Sequence, residues 1–189
     1  MSAALTCAAR KGFHQTTMRD ICREAGLSIG AVYNYFRSKE EILEALTQRS
    51  RVERDKLLRQ LEAYPTARQA LTHLLREMFE AYADESFRTF GSVDVETFAE
   101  ALRNPRVREI AQEEIHALAD PLTSMFRRWQ ADGQVRDCLD ADEMAYYLVS
   151  GSVGLKILVL LVPELDVGKL ARVVEAAFLG GVLADPRRD

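Results

Sequence analysis

This chain of 189 residues is poorly provided for disulfides, zinc, sheets or catalysis. Its three cysteines, Cys7, Cys22 and Cys138, are odd in number and unrelated in spacing. They give neither a disulfide framework nor a zinc site and fit a reducing compartment. Ten Gly and five Pro are too few for a fibrous or disordered chain. No alternating apolar and polar run is long enough for a strand, and there is no internal repeat. A serine nucleophile elbow, a phosphate loop and a Cys/His pair are all missing. Glu113 and His116 make one Glu-x-x-His, but a helical di-iron site needs two, and Ala70 stands where His73 would need its glutamate. The expectation is a protein that is no enzyme, holds no metal and needs no cofactor. A helical metal-carboxylate enzyme is an alternative resting on that half-motif alone.

What is present is helical. Hydrophobic residues make up 48% and charged residues 29%, with Ala and Leu the commonest types, enough for one or two domains with a real core. The formal net charge of -4 argues against a nucleic-acid partner only if it is evenly spread. It is not. Residues 1–39 carry Arg10, Lys11, Arg19, Arg23, Arg37 and Lys39 against Asp20 and Glu24, a net of +4, which leaves -8 for the remainder. A small basic head precedes a larger acidic body.

The first residues place their positive charges after the apolar stretch, the wrong polarity for a secretory signal, so the expected location is cytoplasmic. Met144 to Val162 is an acid-free run of the length that a bilayer requires. Lys156 lies inside it, and Ser150, Gly151, Ser152 and Gly154 dilute it. The expectation is a helix buried on most of its circumference, with no membrane contact.

Periodicity and punctuation predict an all-α fold. A short helix at 3–11 ends at Gly12, suited to a left-handed cap. Thr16 and Thr17 cap a helix at 17–25 with Met18, Ile21, Cys22 and Ala25 on one face, stopped by Gly26. Ser28 caps a second at 28–36, with Val32 and Phe36 inward. Ser38 with Glu41 reads as a capping box opening a longer helix that carries Ile42, Leu43, Leu46, Leu57, Leu58 and Leu61 to the Tyr64-Pro65 break. Further helices are expected at 66–84, 93–103, 105–131 with Pro121 restarting or kinking it, 140–162 and 167–183.

Two short helices joined by a tight turn containing Gly are a helix-turn-helix pattern. Gly26 makes the turn, Leu27 plugs the angle, and Ile21, Ala25, Val32 and Phe36 form the shared core. The second helix is then presented to a major groove. Thr17 and Ser28 offer hydroxyls and helix N-termini to phosphates, while Tyr33, Tyr35 and Lys39 can donate to the backbone of DNA. The basic head is this same segment.

The run Gly12-Phe13-His14-Gln15-Thr16-Thr17-Met18-Arg19-Asp20-Ile21-Cys22-Arg23-Glu24-Ala25-Gly26-Leu27-Ser28-Ile29-Gly30-Ala31-Val32-Tyr33-Asn34-Tyr35-Phe36-Arg37-Ser38-Lys39-Glu40-Glu41-Ile42-Leu43 resembles the DNA-binding signature of the tetracycline-repressor (TetR) family almost position for position. The signature covers residues 3–46. Beyond it the likeness is one of helix count and length, with Phe98-Ala99-Glu100-Ala101-Leu102-Arg103-Asn104-Pro105 similar to members with a general effector domain. The resemblance implies a homodimeric transcription factor, usually a repressor, released from a palindromic operator by a small molecule. It implies a DNA-binding domain at 1–46 and an effector-binding and dimerisation domain at 47–189. By the same resemblance Ile29, Gly30, Ala31 and Asn34 fall at base-reading positions, with Arg19 a further contributor, and Thr17, Ser28, Tyr33, Tyr35 and Lys39 at phosphate positions. Asn34 has the donor and acceptor that suit an adenine edge; Ile29 and Ala31 can make only apolar contact, for instance with a thymine methyl. One departure is that the family's first helix begins about two turns earlier and has an aromatic where this chain has Ala8, so the helix is abbreviated or the start lies upstream.

In the body, Gly151, Gly154, Leu155 and Leu158 on one helix and Ala177, Gly180 and Gly181 on the next let helices approach closely, which is the expected homodimer interface. Met78, Phe79, Tyr82, Phe98, Met125, Phe126, Trp129 and Tyr147 are candidates to line a pocket for a mid-sized, largely apolar effector. A helical DNA-binding protein without an effector is the alternative, and a body of this size argues against it.

Overall fold

The computed structural model describes residues 1–184, apart from the side chains of residues 49, 50, 88 and 89. Among these residues are nine helices and no strand: α1 (Ser2–Lys11), α2 (Met18–Ala25), α3 (Ile29–Tyr33), α4 (Lys39–Glu62), α5 (Ala67–Ala83), α6 (Glu85–Ala101), α7 (Pro105–Ala131), α8 (Ala141–Leu161) and α9 (Val167–Val182). The fold is all-α, with one isolated antiparallel bridge between Val135 and Leu183.

Helix starts are set by polar caps. Thr17, Thr66, Asp140 and Asp166 each accept a backbone N–H left over by the first turn. The reciprocal capping box lies at Thr17 and Asp20, whose side chain takes the Thr17 N–H at 3.0 Å. At α4, by contrast, Ser38 accepts the Glu41 N–H at 3.3 Å, but the Glu41 carboxylate reaches one residue further back, to the Arg37 N–H at 2.7 Å. The expected box there is therefore only half formed.

Three helix expectations change. The second helix of the pair is the five-residue α3, because bonds from Tyr35 and Phe36 N–H to the Val32 carbonyl close the chain there. α6 starts at Glu85, eight residues before the expected 93. Gly91 lies inside this helix, and a Cβ there would lie 2.8 Å from the Phe87 ring, so the glycine makes room for an aromatic one turn back. α7 runs through Pro121 without a new segment. The missing hydrogen bond is offset by burial of Ala119, Leu122, Met125 and Phe126 beside it.

The chain packs as two units. The first comprises 1–53 and 85–114, the second 54–84 and 115–184 of the described residues. The grouping by packing thus differs from a division of the chain at residue 46, because the signature segment shares its core with α6 and the start of α7. In the first unit, Ala8, Phe13 and Leu43 pack with Val93, Ala101, Val107, Ile110 and Ala111. A smaller cluster of Ala4, Ile21 and Ile42, with Met18, Phe36 and Leu46 against it, holds α1, α2 and α4 together. In the second unit, Leu61, Leu71, Leu75, Leu122, Phe126, Trp129, Ala145 and Leu179 lie in one continuous core.

Two residues expected in the small core are outside it. Ala25 is exposed and Leu27 is 55% exposed. The turn needs no apolar plug, because Gly26 at φ 65, ψ 26 and the Leu27 N–H to Cys22 carbonyl bond close it through the backbone. Nor is α8 buried on most of its circumference. It is long and apolar enough to cross a membrane, yet only 28% of its most apolar stretch is buried. Tyr146, Tyr147, Ile157, Leu158 and Leu161 form its exposed face.

Candidate nucleic-acid interface and regulatory body

The turn between α1 and α2 is fastened by charge. Gly12 has φ 84 with ψ 150, a positive φ but not the left-handed helical cap that the sequence suggests. A Cβ at Gly12 would lie 2.8 Å from the Glu96 carboxylate, which accepts the Phe13 N–H at 2.8 Å. The carbonyls of Phe13 and His14 accept the Lys39 ammonium at 3.0 and 2.9 Å, and that ammonium lies 4.7 Å from the centre of the Phe13 ring. His14 Nδ1 lies 3.2 Å from the Glu100 carboxylate. Burial alone would push the Glu100 carboxyl up, but the hydrogen bond and charge of His14, with the charges of Arg103 and Lys39, bring it below the usual value.

Lys39, expected to give its ammonium to DNA, gives two of its protons to the protein's own backbone. Thr17 is committed as well, since its hydroxyl donates to Asp20 at 2.5 Å while accepting the Asp20 N–H. What Thr17 leaves for a phosphate is the open N-terminus of α2. The Asp20 carboxyl is held well below its ordinary range by Lys11, then by the hydroxyl and amide of Thr17. Ser28 differs. Its oxygen accepts the Ala31 N–H at 3.2 Å, and its own proton has no acceptor among the described residues.

The other predicted readers lie together on one exposed surface. Ile29, Gly30, Tyr33, Asn34 and Tyr35 are exposed, and Ala31 is half-buried. Tyr35 is 81% exposed. Arg19 is exposed with no ion partner among the described residues, because Glu24 is taken by Arg10 at 2.5 Å. Beneath this surface Ile21 and Val32 are buried and anchor the backbone that carries these exposed side chains.

The candidate pocket residues do not share one cavity. Met125, Phe126 and Trp129 fill the second unit's core, the Phe126 and Trp129 rings meeting edge to face at 5.6 Å. Met78 packs against that core half-buried, and Phe98 lies half-buried in the first unit. Tyr82 is buried with its hydroxyl 2.6 Å from Ser152, a polar pair that the sequence does not reveal. Phe79 lines a cavity of about 290 Å³ with Leu75, Val167 and Ala171, edged by Arg76 and Glu175. Tyr147 stacks on Phe178 at 5.9 Å and lines another of about 390 Å³ with Met144, Ala177 and Gly181.

Of the predicted interface residues, Gly151, Gly154, Leu158, Ala177, Gly180 and Gly181 are exposed or half-buried at the outer faces of α8 and α9. Leu155 is buried and belongs to the chain's own packing. A Cβ at any of the four glycines would meet nothing within 4 Å. Each helix-interior glycine costs roughly 0.5–1 kcal/mol against alanine, and no crowding within the chain requires one.

Residues 1–46 match the family model of bacterial regulatory proteins, tetR family. Residues 67–181 match that of the BetI-type transcriptional repressor C-terminal region. The HTH-type transcriptional regulator UidR of Escherichia coli (strain K12) is 24% identical over 188 residues, 97% of this chain and 87% of that protein. A transcriptional regulator from Saccharomonospora viridis in complex with choline superposes with a TM-score of 0.80 at 25% identity, over 97% of this chain and 95% of the other. FadR of Bacillus subtilis in complex with stearoyl-CoA gives 0.80 at 18% identity, over 95% and 96%.

The fastened turn can be tested by removing its charges. Lys39→Met keeps the stem over Phe13 but removes both carbonyl bonds, and lowers unfolding stability by about 1–3 kcal/mol in urea titrations; an unchanged midpoint contradicts the fastening role. Asp20 and Glu100 are both depressed in the fold, so the stability they contribute is complete above the ordinary carboxyl values of 3.8 and 4.5 and is lost as pH falls through the lower folded values. The melting temperature therefore declines on acidification below about pH 4.5, and Asp20→Asn makes that decline shallower. A decline of the same depth in the variant would show that Asp20 carries none of it.

Proposed function

Because the chain belongs to the tetR family of bacterial regulatory proteins and is a transcriptional regulator, we propose that it is a cytoplasmic repressor that grips a palindromic operator with two copies of the α2–α3 surface. The observation that carries this reading is the set Arg19, Ser28, Ile29, Gly30, Ala31, Tyr33, Asn34 and Tyr35, presented outward on a backbone pinned from beneath. Asn34 and Arg19 read base edges, Ile29 and Ala31 contact them through apolar groups, and Ser28, Tyr33 and Tyr35 position the head on phosphates. Thr17 contributes through the start of α2, and Lys39 mainly by holding the head together.

One head buries too little surface for tight specific binding, so two are needed, spaced ~34–36 Å apart or a multiple of that. The small and apolar outer face of α8 and α9 supports a second copy as its cover. Gly151, Gly154, Gly180 and Gly181 let partner helices approach, and Leu158 packs around them. A bilayer fits less well, since Lys156, Ser150 and Ser152 interrupt the run. The domain roles are those that the resemblance implies: 1–46 meets DNA, and 47–189 binds effector and partner.

The effector is a small, largely apolar molecule held by the second unit. Choline and stearoyl-CoA, bound by two structural relatives, mark the range of chemistry that this architecture accommodates in other proteins. In the cavity that Phe79 lines, Leu75, Val167 and Ala171 supply apolar wall, and Arg76 and Glu175 at its edge supply polar handles. Effector binding favours a dimer state whose heads no longer match the half-site spacing, and by linkage DNA weakens the effector equally. The chain's role is regulatory and not catalytic.

Asn34→Ala should cost about 1–3 kcal/mol on the operator and relax preference at one base pair, leaving random DNA unaffected; equal losses on both duplexes in fluorescence anisotropy would sink the base-reading assignment. Gly154→Arg should yield a folded monomer in analytical ultracentrifugation with specific DNA binding abolished. A dimer that persists in that variant would move the interface elsewhere.

A further inference from the structure

Resting on the DNA-binding reading above, we infer that Arg37 is a phosphate-contacting residue of each head. The first unit's signature segment has six cations, and four have partners within the chain. Arg10 pairs with Glu24 at 2.5 Å, Lys11 pairs with Asp20, Arg23 pairs with Asp20 at 2.9 Å, and Lys39 holds the two carbonyls. Arg19 and Arg37 have no ion partner among the described residues. Arg19 is already placed at the start of α2. Arg37 follows α3, two residues after the highly exposed Tyr35, and is itself exposed.

Its surroundings give it a fixed root and a free end. The Arg37 N–H is held by Glu41 at 2.7 Å, the preceding Phe36 packs against Ile21 and Ile42, and the following Ser38 caps α4. The nearby acids form no ion pair with the guanidinium and accept neutral N–H groups instead. Glu41 takes the Arg37 amide, and Glu40 receives Asn104 Nδ2 at 3.4 Å. A guanidinium on a rigid backbone beside two exposed tyrosines, with no acid claiming it, suits a phosphate oxygen: its planar fork can donate twice, and less freedom is given up on binding than from a mobile loop. It carries no base information in this role, so it acts on every sequence alike.

The test needs no knowledge of the operator. Binding of the full chain to a random-sequence 30-base-pair duplex is measured by anisotropy from 50 to 200 mM salt. Removing one phosphate interaction lowers the slope of log K against log salt by about 0.9, so Arg37→Ala should lower it by roughly 1.8 if both heads of a dimer engage. That corresponds to about tenfold less salt sensitivity across the range. Arg37→Lys should keep the parent slope, and so should Arg68→Ala, which removes an exposed body charge. All three should melt with the parent chain, since the Arg37 guanidinium has no ion pair to lose. A parent slope in Arg37→Ala, or an equal fall in Arg68→Ala, overturns the inference while leaving the DNA reading intact. A parent chain that binds no duplex overturns both.

Discussion

The turn at residues 12–14 is where α1, α2, α4 and α6 are tied, and the tie is electrostatic. Glu96 holds the Phe13 amide, Lys39 holds the Phe13 and His14 carbonyls, and Glu100 faces His14. Only glycine at position 12 gives the positive φ and the room that Glu96 requires. The Phe13 ring is then delivered to a core shared with Val93, Val107 and Ile110. Without this fastening the signature segment would be three short helices around a small apolar cluster, too little to stand alone. Joined to α6 and the start of α7, it is one packed unit.

That arrangement divides the labour of the charges. Asp20 and Glu24 are the acids of residues 1–39; Glu24 pairs with Arg10, and Asp20 is shared by Lys11 and Arg23. The local net of +4 survives, and the cationic side chains without an ion pair or hydrogen bond among the described residues are Arg19 and Arg37. Specificity and attraction would thus be separable on the proposed surface, with Asn34 and Arg19 distinguishing bases and Arg37 meeting the duplex whatever its sequence. The acidic remainder of the chain would be repelled from DNA, which favours contact through the head alone.

Helices with a clear start and stop are legible in the sequence. Thr17, Thr66, Asp140 and Asp166 announce theirs, and Gly26 announces the turn. Three things are not legible, each because a distant or unforeseen partner decides it. The start of α6 at Glu85 is missed, since the use of Gly91 as space for Phe87 depends on a helix already present. The carbonyl bonds of Lys39 are hidden, because nothing local shows that the carbonyls of residues 13 and 14 will lie under its ammonium. Met125, Phe126 and Trp129 read as pocket wall, because composition cannot separate a cavity lining from a filled core. The readers on α3 are legible by resemblance, and their exposure accords with that role without assigning bases to them.

The outer face of α8 and α9 links fold to function. Four glycines with open space above them, beside exposed Leu158 and Leu161, are costly in an isolated chain and intelligible beneath a second copy. Two-fold pairing would also impose a two-fold target. The most direct measurement is therefore the selection of bound duplexes from a random-sequence pool. A paired regulator enriches inverted repeats whose half-sites lie one helical turn, or a multiple of it, apart. Enrichment of a single site without dyad symmetry, or no enrichment at all, would contradict it.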